Sequence, residues 1–149
     1  MSLFDLMGDD GIVITREENL SVDAALDLTC SALLASGKIE QSYVNAIKAT
    51  HKKIGPYYVL APKIAMPHAR PEDGVNEDAL QLTVFKKGVD LGSLDNGDVY
   101  FSITLAANNS DSHVLTIMAL SELFQNDADI NNIIAAENKA DIIDILKKY

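Results

Sequence analysis

The 149-residue sequence contains one cysteine, Cys30, so no disulfide can close within the chain. It has no CxxC or HExxH pairing and no two histidines at a short ligand spacing, which argues against zinc. Its glycines are scattered and build neither a GxGxxG fingerprint nor a P-loop, so nucleotide binding finds no support. Basic residues are scarce: 12 Lys plus Arg face 22 Asp plus Glu, for a formal charge of −10. A nucleic-acid partner, bound by neutralising its phosphates, is repelled by that field. No stretch approaches the roughly 18 consecutive apolar residues of a membrane span. The acidic start, Met1 to Gly11, lacks the basic and apolar regions of a secretory signal. The expectation is a cytoplasmic protein that uses no metal and no organic cofactor, and that leaves any membrane step to another chain.

What is present is an ordinary globular composition, 48% hydrophobic and 23% charged. A chain of this size buries roughly 68 to 70% of the surface its unfolded form exposes, enough for a core without staples. Ile12 to Ile14 reads as a short strand. Ser21 then offers an N-cap to a helix whose Val22, Ala25, Leu26, Cys30, Leu33 and Leu34 share a face, with Gly37 as its stop. Cys30 is thereby a small core residue rather than a nucleophile. A second helix is predicted from about Ile39 to Lys53, ended by Gly55 and Pro56. All four prolines lie between positions 56 and 71, among the short strand candidates Tyr57 to Ala61 and Ile64 to Met66. Ala79 to Phe85 and Val99 to Ala107 read as an antiparallel pair across a turn-rich link, Lys86 to Asp98. Helices follow at about Asp111 to Phe124, Ala128 to Ala136 and Ala140 to Lys148. Helices on either side of three or four strands, with no linker or repeat, predict a single-domain α/β sandwich over 1–149, with a mixed sheet.

Three histidines are candidates for chemistry. His51, in Thr50-His51-Lys52-Lys53, reads as a solvated helix end, where a cation suits the dipole. His68 sits in Ile64-Ala65-Met66-Pro67-His68-Ala69-Arg70-Pro71, where a strand ends at one proline and a second follows, so it cannot lie inside a regular helix. Alone, that setting describes a proline-rich surface loop. It also meets the needs of a nucleophilic imidazole, which requires an unprotonated, exposed ring nitrogen on unyielding backbone. Histidine side chains, with an ordinary pKa of about 6.5, can attack phosphorus without a separate base. His113 closes the polar cluster Asn108-Asn109-Ser110-Asp111-Ser112-His113 before an apolar helix, with Ser110 or Asp111 as caps. There the free N–H groups and the helix dipole favour an anion. Glu72-Asp73 and Glu77-Asp78 read as solvated turns.

The block Gly55-Pro56-Tyr57-Tyr58-Val59-Leu60-Ala61-Pro62, then Ile64 to Pro71, then Glu72, Gly74 and Val75, closely resembles the enzyme IIA component of the bacterial phosphotransferase system. The resemblance is to the mannitol/fructose superfamily and, within it, the ascorbate-type branch. It extends to Leu105-Ala106-Ala107, His113, Ile117-Met118 and Leu123-Phe124, and covers nearly the whole chain. It implies a mixed sheet with helices on both faces and a carrier that takes phosphate from phospho-HPr. The phosphate passes to a cysteine of a IIB component, which phosphorylates a sugar as the membrane IIC component imports it.

By the same resemblance His68 is the phosphorylated residue and His113 contacts the phosphoryl group. Mannitol and nitrogen-type relatives carry a glycine directly after the active histidine, where this chain has Ala69-Arg70. They also carry an upstream arginine near the site, for which Lys52 is a rough positional match. Ser112, Arg70 and Lys52 are the further candidates for phosphoryl binding. Two roles remain open: a carrier for uptake of ascorbate or a pentose or pentitol, and a regulatory domain whose phosphorylation controls a transporter, kinase or transcription factor. Apolar positions near the site suit a homodimer as readily as transient docking.

Overall fold

The computed structural model describes residues 2–108 and 110–149, the side chains of 110–112 excepted. The chain opens with a one-turn helix, α1 (Leu3–Met7), and a 3-10 turn, Asp9–Gly11, before β1 (Ile12–Thr15). Helices α2 (Val22–Ala35) and α3 (Gln41–Ile54) follow, then the short strands β2 (Val59–Ala61) and β3 (Lys63–Ala65). The long strands β4 (Ala79–Val89) and β5 (Val99–Ala106) lead to α4 (Ser110–Phe124), α5 (Asp127–Ala135) and α6 (Lys139–Leu146). Among the described residues no helix is long and apolar enough to cross a membrane.

Local chemistry explains most of these boundaries. The Ser21 hydroxyl accepts the Ala24 N–H at 3.1 Å and so caps α2, while Asn126 and Asn138 cap α5 and α6 in the same way. The β2–β3 turn, Pro62-Lys63, has proline at its first central position and Lys63 at φ 73°, the geometry of a type II turn. That turn sends β3 back along the sheet and aims its end at His68.

The five strands form one mixed sheet in the order β1-β4-β5-β3-β2. β1 runs parallel to β4, β4 antiparallel to β5, β5 parallel to β3, and β3 antiparallel to β2. Alternation along β4 and β5 sends Leu80, Leu82, Val84, Phe101, Ile103 and Leu105 to one face, which α1, α4, α5 and α6 cover. Ala79, Phe85 and Ala106 meet α2 and α3 on the other. The result is a three-layer α/β sandwich in a single domain. A fully buried ring such as Phe101 carries roughly 3–5 kcal/mol, the usual loss on truncation to Ala.

The α2-facing side of the central strands is unusually polar. Gln81, Thr83, Ser102 and Thr104 are all buried there. The Gln81 amide donates to the Leu28 carbonyl at 2.7 Å and accepts from the Ala32 N–H at 2.9 Å, the two groups a regular helix pairs with each other. Thr104 donates to the Thr29 carbonyl at 2.6 Å. Cys30 is buried as the helical pattern predicts, and burial pushes its thiol up to about 12.

Four elements differ from expectation. The sheet has five strands rather than three or four, because all five strand candidates of the sequence, both short ones between Tyr57 and Met66 included, join it. β4 continues through Lys86–Val89, where the sequence reads as a turn-rich link, and Val89 pairs with Val99 across an irregular register. Ile39 precedes α3 and bridges to Val75. The helix α1 has no counterpart in the periodicity because a single turn shows none. Buried Leu3 and Met7 hold it, with the Leu3 N–H donating to the main-chain oxygen of Tyr149 at 2.8 Å.

Candidate functional site

β3 and β5 are adjacent and parallel, so the chain leaves both at the same edge of the sheet, and antiparallel β4 begins there. His68 lies three residues beyond β3, α4 starts four residues beyond β5, and Asp78 immediately precedes β4. The C-terminal edge of parallel strands is where α/β folds present functional groups. Its backbone is tied across elements: the Asn108 N–H donates to Asp78 Oδ1 at 2.5 Å, and the Leu105 N–H to the Pro67 carbonyl at 3.1 Å.

His68 is half-buried on a loop that is anchored residue by residue. Its Nδ1 lies 2.8 Å from the carbonyl oxygen of Met66. A carbonyl only accepts, so Nδ1 carries a proton, and in the neutral ring the lone pair is therefore on Nε2. The Tyr57 hydroxyl donates to the His68 carbonyl at 2.5 Å, and the two rings stand edge to face at 5.5 Å and 74°. The buried Tyr43 hydroxyl accepts the Ala69 N–H at 3.0 Å and gives its only proton to the Leu105 carbonyl at 2.6 Å, with the Ala69 carbonyl further off at 3.3 Å. Burial pushes both phenols up to about 12, so at neutral pH they remain donors. A groove of about 490 Å³ opens beside the imidazole, lined by Ala46, Ala49, Thr50, Tyr57, Ala69, Arg70 and Asp73.

The remaining candidates are distributed as follows. Arg70 faces this groove and is exposed, with its guanidinium 3.4 Å from Asp73 Oδ1 and 3.7 Å from Glu72 Oε1. Lys52 is exposed in the last turn of α3 and is not among the described residues lining the groove. His113 lies exposed near the start of α4 and shares a narrow crevice with Asp78, Leu105 and Ala107. It comes to the same sheet edge as His68 but lines a different depression. The side chain of Ser112 lies outside the described residues. So does capping of α4, which begins at Ser110, so that Ser110 and Asp111 lie within the helix rather than before it. Among the described residues no group of three or more His, Cys, Asp or Glu side chains could hold a metal ion.

His51 is more than a solvated helix end. It is half-buried, its Nδ1 lies 2.8 Å from the Tyr58 hydroxyl, and its ring is 5.7 Å from that of Tyr58. Asp78 is likewise no free turn residue, since it holds Asn108. Sequence reasoning passed over Tyr43 and Tyr57. The available signal was their hydroxyls: a tyrosine on a buried helix face and one beside a proline-bounded strand both need polar partners when buried.

Residues 7–149 match the family described as "Phosphoenolpyruvate-dependent sugar phosphotransferase system, EIIA 2". The chain is 36% identical over 124 residues to the mannitol-specific cryptic phosphotransferase enzyme IIA component of Escherichia coli (strain K12), covering 83% of this chain and 84% of that one. It is 30% identical over 149 residues to the ascorbate-specific EIIA component of Salmonella choleraesuis, covering 99% and 97%. The solution structure of the Escherichia coli mannitol-specific cryptic enzyme IIA superposes with a TM-score of 0.90 at 33% identity over the full length of both chains. The crystal structure of the Escherichia coli mannitol IIA shares the fold, with a TM-score of 0.77 at 23% identity over 93% of this chain and 97% of that one. The tyrosine-anchored histidine loop therefore stands in a chain that belongs to the EIIA 2 family of the sugar phosphotransferase system, whose members are phosphoryl-carrying enzyme IIA components.

Proposed function

We propose that residues 1–149 act as one carrier domain in which Nε2 of His68 accepts a phosphoryl group from phospho-HPr and returns it to a cysteine of a IIB component. The observation that carries this reading is the Nδ1 contact with the Met66 carbonyl, which leaves Nε2 as the free nucleophile beside an open groove. Nε2 attacks the phosphorus of the donor phosphohistidine; the new N–P bond forms as the donor's breaks, and the donor imidazole leaves with the electron pair. The IIB thiolate reverses the sequence, taking phosphorus and releasing the His68 imidazole.

Charge on the moving group is met by His113 and by the N-terminal N–H groups of α4, which supply donors at the same sheet edge. Ser112 adds a hydroxyl. Among the described residues the Arg70 guanidinium is held by long contacts to Glu72 and Asp73, and such pairs on a largely exposed arginine are weak enough for a dianion to compete. Lys52 contributes long-range attraction at most. The carrier works in the cytoplasm, with the sugar meeting only IIB and the membrane IIC component. Ascorbate or a related pentose or pentitol is the proposed cargo, consistent with the ascorbate-specific relative, and a mannitol-specific relative keeps hexitols in the comparison.

The test is incubation with the general enzyme I, HPr and phosphoenolpyruvate. An acid-labile phosphate is expected on wild-type protein and absent from His68→Gln; failure to modify the wild type while HPr is charged refutes the reading. His113→Ala is expected to fold normally and to slow transfer by about 10²-fold, the scale of one lost oxyanion donor. An unchanged rate removes His113 from the mechanism.

A further inference from the structure

Beyond its histidines, the site contains a device for holding the acceptor ring. A histidine in a loop ordinarily turns about two side-chain bonds and exchanges between two tautomers, and the neutral histidine side chain in water favours the form with the proton on Nε2. Here the opposite form is selected by a contact with the Met66 carbonyl, only two residues earlier in the chain. That contact survives only if the main chain around Met66 and His68 is held; the Leu105 N–H holds the Pro67 carbonyl from β5, the Tyr43 hydroxyl holds the Ala69 N–H, and the Tyr57 hydroxyl holds His68 itself.

On the Tyr57 side the fastening has three parts. The Tyr57 hydroxyl binds the His68 carbonyl at 2.5 Å, and the Met66 N–H donates to the Tyr58 carbonyl at 2.8 Å. The His68 Nδ1–H then closes back on the Met66 carbonyl. Tyr57 is itself backed edge to face by the fully buried Tyr58 at 5.1 Å and 79°, and the Tyr58 hydroxyl is engaged by His51 at 2.8 Å. We propose that Tyr57 is a positioning residue for the phosphoacceptor: its hydroxyl fixes the His68 main chain and its ring fixes the imidazole plane, directing Nε2 into the groove. The inference rests on His68 being the acceptor.

The experiment compares wild type with Tyr57→Phe, which keeps the ring and so the packing, and with Tyr57→Leu, which removes both functions. Long-range 1H–15N correlation of 15N-histidine-labelled protein at pH 8 reads the tautomer of His68, and phospho-HPr titrations read kcat and KM for phosphoryl acceptance. Tyr57→Phe is expected to shift His68 toward the Nε2–H form and to lower kcat roughly five- to tenfold with KM unchanged, the scale of one hydrogen bond. Tyr57→Leu is expected to lose more. A Tyr57→Phe protein with the wild-type tautomer overturns the inference, whatever its rate. If the wild type accepts no phosphate, the acceptor reading fails by itself, and the tautomer comparison still decides the role of Tyr57.

Discussion

Removing one oxygen atom from Tyr43 tests how firmly the histidine loop is tied to the sheet. In Tyr43→Phe the ring still fills its buried site, but the Leu105 carbonyl loses a donor at 2.6 Å and the Ala69 N–H loses an acceptor at 3.0 Å. A buried polar group left unpaired costs about 1–3 kcal/mol. Leu105 is buried and stands toward the upper end of that range; Ala69 is half-buried beside an open groove that admits water and stands toward the lower end. The sum is a destabilisation of roughly 2–4 kcal/mol. Urea titration followed by circular dichroism is expected to show a lower midpoint at unchanged m, as for a loss confined to the native state. The same substitution alters the alkaline limb. Burial raises the Tyr43 phenol from 10.0 to about 12, so the stability it lends is complete below pH 10 and is lost as pH climbs toward 12. Tyr43→Phe removes that part of the slope and leaves those of Tyr57 and Tyr58, whose phenols are also raised by burial. A midpoint shift equivalent to less than about 0.5 kcal/mol, or an unchanged alkaline limb, refutes the reasoning that this hydroxyl is the pin between β5 and the loop.

Two further perturbations probe the frame. Asp129 accepts from the Tyr149 hydroxyl at 2.5 Å and from Lys148 at 2.9 Å, and these hydrogen bonds hold its carboxyl below the usual carboxylate range. Its stabilising effect is therefore present above the ordinary carboxylate pKa and disappears as pH falls through the lowered one, so Asp129→Asn is expected to flatten stability against pH on the acid side; an identical acid profile by thermal unfolding excludes this role. Ser102 Oγ is buried without a hydrogen-bond partner among the described residues, so Ser102→Ala is expected to leave stability unchanged or raise it by about 1 kcal/mol, read by urea midpoint. A clear loss of stability contradicts that assignment.

Much of this protein was legible before any fold was known, because the signals are local. The apolar period of Ala25, Leu26, Cys30 and Leu33 requires α2 to bury one stripe, and a Ser21 cap needs only the N–H groups of its own first turn. The four prolines around His68 restrict the backbone through covalent geometry. The long block around that histidine, with His113 in the following helix, carries the family. Tertiary structure decided the rest. The joining of all five strands in one sheet and the continuation of β4 to Val89 depend on partners distant in the chain, and α1 is held by the main-chain oxygen of Tyr149. His68 illustrates the division. Its residue type and its proline frame are sequence properties, but which ring nitrogen is free is set by hydrogen bonds from Met66, Tyr57 and, through Ala69, Tyr43. Those side chains meet because β3 and β5 end together at one edge of the sheet, and no periodicity or spacing encodes a contact that only the folded chain can make.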